Sequence, residues 1–267
     1  MTRRAVPQNP AVLNRGGSAT LRSFGALLLV NLRLYVREPF AAFLTIAFPL
    51  MAVLVFGAIY GNEPQETFDG YGSMDISMPA YTAMILGTVG FLGVAITTST
   101  YREAGILRRF RVTPLRPLVY IAADVVANLV MVLVGMAGVV IMGWSLYRVQ
   151  FQGQAVFVLL AVILSATAMF AVGYVIAAMA PNARFAQLIG MVLLYPMLFL
   201  SGATIPIEVM PESVQSISDF LPLTYVVRLL RGLWFGESWG SLALETGVLV
   251  AILVICTAIA VRAFRWE

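Results

Sequence analysis

The chain has 267 residues, 60% hydrophobic and 11% charged, where soluble domains carry charge on about a quarter of positions, so it reads as an integral membrane protein. Its net charge of +4 comes from 17 arginines against 13 acids, with no lysine and no histidine. The missing lysine excludes the nucleotide-binding motif G-x-x-x-x-G-K-[ST], the missing histidine excludes His-based triads and H-E-x-x-H zinc sites, and arginines clustered between apolar runs suit topology control rather than a nucleic-acid surface.

Residues 1–39 contain Arg3, Arg4, Arg15, Arg22, Arg33 and Arg37, and no apolar core leads to a small-residue cleavage site, so no cleaved signal peptide is expected. The patch Phe24 to Val30 is too short to cross a bilayer and runs straight into Asn31 and Arg33. That pattern predicts a helix lying in the membrane interface.

Residues 40–267 form a predicted six-span transmembrane domain, because six runs each supply the roughly 20 apolar residues that a bilayer demands. They are Phe40 to Tyr60, Pro79 to Ser99, Leu118 to Tyr147, Ala155 to Ala180, Phe185 to Ile205 and Leu242 to Val261. The third is over-long and is expected to tilt or to start in the interface. The fold class is therefore all-α. Arginine is concentrated in the amino-terminal segment, in the loop Tyr101 to Pro117 and in the tail with Arg262 and Arg265, whereas the first loop holds Glu63, Glu66, Asp69 and Asp75. By the positive-inside rule both termini face the cytoplasm. An arginine-only basic set further suggests a G+C-rich bacterium, and hence a bacterial plasma membrane.

The loop after the second span has a pattern of its own. Thr100 and Glu103 stand in capping-box register, which predicts that a new helix, residues 101–112, begins here and is separate from the span. Ile106, Leu107 and Phe110 fall on one side of it and Arg102 and Arg109 on another, while Pro114 and Pro117 turn the chain into the third span. Such a helix is either a lever that tilts both spans or simply a positive-inside loop. Residues 206–236, between the fifth and sixth spans, are broken by Pro206, Pro211 and Pro222. They read as re-entrant or outer-interface helices, since Leu229, Leu230, Leu233, Trp234 and Phe235 want a membrane or protein surface.

Inside the spans, Asp124 with Asn128 one turn further is either a polar spot on a substrate path, a partner for an inner-loop arginine, or simply a helix-end carboxylate. Gly87, Gly90 and Gly93, and Gly57-x-x-x-Gly61, suggest close helix packing. Pro49 and Pro196 are candidate kinks. Phe91, Tyr195 and Phe199, among many methionines, offer adaptable apolar surface, and Cys256, the only cysteine, reads as a small packing residue.

The stretch Tyr101-Arg102-Glu103-Ala104-Gly105-Ile106-Leu107-Arg108-Arg109-Phe110-Arg111-Val112-Thr113-Pro114-Leu115-Arg116-Pro117 resembles the R-E-x-G-x-L-x-R-x-R-x-T-P-L-x-P signature of ABC type-2 transporter permeases of the daunorubicin-resistance type. Phe199-Leu200-Ser201-Gly202, Pro211, Leu221-Pro222-Leu223-Thr224-Tyr225 and Leu230-Arg231-Gly232 resemble the family's F-L-S-G…P…P-L-T-Y…L-R-G pattern. The resemblance implies a non-catalytic subunit that lines a translocation path, pairs with a second permease copy within membrane lipid and docks ATP-binding subunits. ATP and Mg would be bound by those partners and not by this chain. It further implies that Arg102, Glu103, Gly105, Leu107, Arg108, Arg109 and Phe110 enter the ATPase groove, and that the cargo is a hydrophobic drug, toxin or lipid exported from the cytoplasm. An ion-coupled carrier would have to rely on Asp124, and a membrane-embedded enzyme lacks the residues for a triad or a second facing carboxylate.

Overall fold

The computed structural model describes residues 24–33, 39–68, 70–105 and 117–263. Among them the order is α1 (Phe24–Arg33), α2 (Pro39–Tyr60), α3 (Ser73–Glu103), α4 (Pro117–Tyr147), α5 (Ala155–Met179), α6 (Ala183–Leu200), α7 (Glu212–Ser218), α8 (Pro222–Trp234) and α9 (Ala243–Ala263), and no β-strand is present. Five of these, within α3, α4, α5, α6 and α9, are long and apolar enough to cross a membrane. The chain is a multi-pass, all-helical membrane protein.

α3 is the hub of the bundle. Every residue from Ser73 to Gly87 is buried, because neighbours surround it: α2, α4, α5, α6 and α8 all pack on it. A helix apolar all round has no stripe to orient and lies either within protein or in lipid; α3 is enclosed by protein. The bundle has two ends, marked here by Asp75 at the start of α3 and by Arg102 at its finish. α4 starts beside the Arg102 end, where the rings of Tyr101 and Tyr120 meet at 6.3 Å. The α5–α6 turn lies at that same end, within hydrogen-bond reach of Arg102 and Glu103.

The glycine strip turns out to be three different devices. Gly90 meets α5 so closely that a Cβ there would lie 2.7 Å from the Met169 carbonyl oxygen, and a Cβ on Gly173 would overlap the Gly90 carbonyl. Gly87 meets Leu194 of α6 and Leu223 of α8, whereas Gly93 has only Val89 of its own helix nearby. Gly93 instead lies in a π-helical stretch, Val89–Val94, where α3 widens at its crossing with α5. Gly57 faces the Tyr147 ring as a packing glycine should, but Gly61 has open space around it and a φ of +63°, so it ends α2 rather than packing.

Two sequence expectations change. The second span starts at Ser73, not Pro79, so Asp75 belongs to a helix and not to an acidic loop. Thr100 and Glu103 do not open a new helix. They lie in the last turn of α3, where the Thr100 hydroxyl donates back to the Ile96 carbonyl at 2.9 Å. Ala104 caps the turn and Gly105 follows with φ +66°, a left-handed helix ending that glycine adopts without a Cβ penalty. A capping-box register also arises by chance at a helix C-terminus, and continuation from the buried span decided the matter. The segment 106–116 lies outside the described residues, and with it Leu107, Arg108, Arg109 and Phe110.

The region between α6 and α9 is broken as its prolines require. It holds a 3-10 turn, Ile207–Val209, then α7, which follows Pro211, and α8, with Pro222 in its first turn. Leu229, Leu230, Leu233 and Trp234 are buried, and α8 packs on α3, α5 and α9. The apolar face of α8 is therefore satisfied by protein. Its polar side carries Arg228, which pairs with Asp219 at 2.6 Å.

Candidate functional site

At the Arg102 end the finish of α3 meets the finish of α5 and the start of α6. The last carbonyls of α5 have no partner within their helix, nor do the first amides of α6. Arg102 supplies the first need: Nη1 donates to the Ala177 carbonyl at 2.9 Å and Nη2 to the Ala180 carbonyl. Glu103 supplies the second, its Oε1 accepting from the Ala183 amide at 2.6 Å, while the Asn182 side chain accepts from Phe185 N at 2.8 Å. Each charge faces the helix end of complementary polarity, guanidinium at the negative pole of α5 and carboxylate at the positive pole of α6. These two motif residues are thus engaged within the chain. No feature of the sequence pointed to Ala177, Ala180 or Ala183 as their partners, since they lie 75 to 80 positions away.

A second polar centre lies between α4 and α5. Tyr174 donates its hydroxyl to Asp124 Oδ2 at 2.6 Å, and Asn128 Nδ2 donates to the Asp124 carbonyl at 2.8 Å. Asp124 and Asn128 are 4% and 3% exposed, so neither opens on a surface of the chain. The inner-loop arginines Arg108, Arg109, Arg111 and Arg116 lie outside the described residues; among those described, the ion pair is Arg228–Asp219.

The residues suggested for a substrate path do not converge. Phe91 is buried at the α3–α6 crossing, where a Cβ on Gly190 would overlap its carbonyl oxygen. Tyr195 and Phe199 are half exposed on α6, in line with Leu188 and Val192. The spacing 188, 192, 195, 199 makes one apolar stripe along that helix. Asp124 and Asn128 are on α4, away from this stripe. No group of three or more potential metal ligands occurs among the described residues.

At the opposite end a polar knot went unforeseen. Asp75 Oδ1 accepts from Asn62 Nδ2 at 3.1 Å and from Gln150 N at 2.8 Å, and its Oδ2 accepts from Gly72 N at 3.1 Å. Asn62 Oδ1 accepts from the amides of Met74 and Asp75, and its Nδ2 also donates to the Tyr147 carbonyl. Trp234 Nε1 donates to the Gln150 carbonyl at 3.0 Å, which brings in α8. One carboxylate and one amide thereby join α2, α3, α4 and the α4–α5 link, and the Trp234 indole adds α8. The sequence did hold a signal for it, an acid three residues into an apolar run after Gly72.

The profile of the ABC-2 type transporter family matches residues 22–235. The chain belongs to that family. Members of that family are transport permeases of ABC exporters and normally work with an ATP-binding subunit. The daunorubicin resistance ABC transporter permease protein DrrB1 of Streptomyces coeruleorubidus is 24% identical over 223 residues, 81% of this chain and 77% of that protein. Nodulation protein J of Rhizobium leguminosarum bv. viciae is 35% identical over 83 residues, 31% of this chain and 32% of that protein. The inner membrane transport permease YhhJ of Escherichia coli is 27% identical over 155 residues, 57% of this chain and 41% of its own length. The chain thus spans about a third of that nodulation protein and less than half of YhhJ.

Proposed function

We propose that this ABC-2 permease exports a hydrophobic drug-, toxin- or lipid-like substrate from a bacterial cytoplasm, driven by ATP that a separate subunit hydrolyses. The observation that carries the reading is the family match across residues 22–235 in a chain with no lysine to hold a nucleotide's phosphates. DrrB1, similar over most of its length, is by name a daunorubicin resistance permease, which supports an apolar cargo.

In this reading α2 is the first of six crossings, α1 lies in the interface, both termini are cytoplasmic and the Asp75 end faces outward. Segment 106–112, with Leu107, Arg108, Arg109 and Phe110, meets the ATP-binding subunit, which holds ATP and Mg. A second permease copy faces the apolar stripe of α6, and cargo passes between the copies along Tyr195 and Phe199. The exposed stripe supports this, because it is the continuous large-side-chain face of a helix whose other side packs on α3. An ion-coupled carrier finds less support, since Asp124 is enclosed and held by Tyr174.

The test is reconstitution with the candidate ATP-binding subunit. The expected result is a stable complex whose ATP hydrolysis rises with an apolar substrate, and loss of that stimulation in Arg109→Ala. Failure of the wild-type chain to bind any ATP-binding subunit, or transport driven by a pH gradient without ATP, would overturn it.

A further inference from the structure

Arg102 and Glu103 carry the opening of the family-like motif, and the resemblance would place them in the ATPase groove. Their side chains instead grip the α5–α6 turn of their own chain. Arg102 spans two carbonyls at the end of α5, and Glu103 holds the first amide of α6 at 2.6 Å. Immediately beyond them Gly105, at φ +66°, turns the chain toward segment 106–116. Deeper in the bundle α3 touches the same two helices again, with Gly90 against α5 and the Phe91 carbonyl against Gly190 of α6. Contacts at two levels make the end of α3, α5 and α6 one body, since close backbone crossings and helix-end hydrogen bonds have little slack.

We infer that Arg102 and Glu103 are positioning residues: they transmit displacement of segment 106–112 to the paired ends of α5 and α6, and so to the exposed stripe of α6. This rests on the proposed function for its energy source. The tie itself is a property of the isolated chain. Without it, a push at 106–112 would move α3 while α6 stayed behind, and nucleotide turnover would run uncoupled from movement of cargo.

Ala183 gives a clean way to separate this role from contact with an ATPase. It is the first residue of α6, a position where proline is well tolerated, and Asn182 before it is extended at φ −152° and ψ 167°, as a residue preceding proline must be. Ala183→Pro therefore deletes the N–H that Glu103 holds and leaves both motif side chains in place. Ala183→Gly keeps the N–H and serves as control.

In proteoliposomes holding the permease with its ATP-binding subunit, Ala183→Pro is expected to bind that subunit normally and to retain basal ATP hydrolysis. Transport per ATP should fall about tenfold, a typical coupling between two sites, matching Glu103→Gln, while Ala183→Gly behaves as wild type. In the isolated chain, amide hydrogen exchange across residues 185–190 should accelerate in Ala183→Pro and Glu103→Gln. Wild-type transport by Ala183→Pro together with loss of subunit binding in Glu103→Gln would make Glu103 an ATPase contact and overturn the inference. Equal failure of Ala183→Gly would overturn it too, by assigning the loss to the turn itself. Unchanged exchange in the isolated chain sinks the tie whatever the ATPase does, whereas accelerated exchange in a chain that binds no ATP-binding subunit sinks the proposed function alone.

Discussion

The Tyr174 hydroxyl donates to Asp124 Oδ2 across the α4–α5 interface at 2.6 Å, joining two helices that touch little elsewhere. A carboxylate buried to this degree is stable only with its hydrogen bonds made. Tyr174→Phe should lower stability by about 1.5–3 kcal/mol, the usual cost of removing a partner from a charged group. Asp124→Asn keeps an acceptor and should lose less. Thermal unfolding of the purified protein in detergent checks both. If Asp124→Asn abolishes transport at unchanged stability, the residue acts on cargo and is more than a strut.

Asp75 collects three donors from three parts of the chain, Asn62 Nδ2, Gln150 N and Gly72 N. Asp75→Ala should leave all three short of an acceptor and cost at least about 3 kcal/mol, seen as loss of monodisperse protein on size exclusion. Asp75→Asn should also be damaging, because its amide turns a donor toward donors. Glu63→Gln, exposed in the loop between α2 and α3, should be neutral.

Glycines three apart on α3 should respond oppositely. Gly173→Ala, facing the Gly90 carbonyl, and Gly90→Ala, facing Met169, must force α3 and α5 apart, at about 1–3 kcal/mol each for overpacking. Gly93→Ala meets nothing nearer than 3.7 Å and should be neutral or slightly stabilising, since alanine is the better helix former. Melting temperatures of the three variants decide it.

Orientation can be read with single cysteines in a Cys256→Ser background. Glu63 and Arg184 are exposed at opposite ends of the bundle. With the Asp75 end outward, Glu63→Cys reacts with a membrane-impermeant maleimide on intact cells and Arg184→Cys reacts only after permeabilisation. The reverse pattern inverts the proposed topology.

The long spans were legible because twenty-odd apolar residues in a row have few other structures open to them. Their ends were less so. Sequence alone starts α3 six residues late because Asp75 looks like a loop residue until Asn62 and Gly72 are seen to complete it. The end of α3 is ambiguous in sequence because Thr100 and Glu103 satisfy a helix-start register, whereas in space Glu103 caps a different helix 80 residues away. Phe91, Tyr195 and Phe199 are alike in composition but differ in exposure, as only packing decides which apolar side chain faces outward.

Composition and order along the chain determined that this protein lives in a membrane as a helical bundle, that it binds no nucleotide through a P-loop, and that two motif regions flank its spans. These are properties of transfer free energy and of residue types present or missing, and they need no neighbours. The tertiary structure alone decided that α3 is the enclosed hub, that Arg102 and Glu103 hold the α5–α6 turn, and that Asp75 and Asp124 are fully engaged inside the fold. Hydrogen bonds and glycine crossings between segments tens of residues apart depend on which helices meet, and that is a matter of three-dimensional packing.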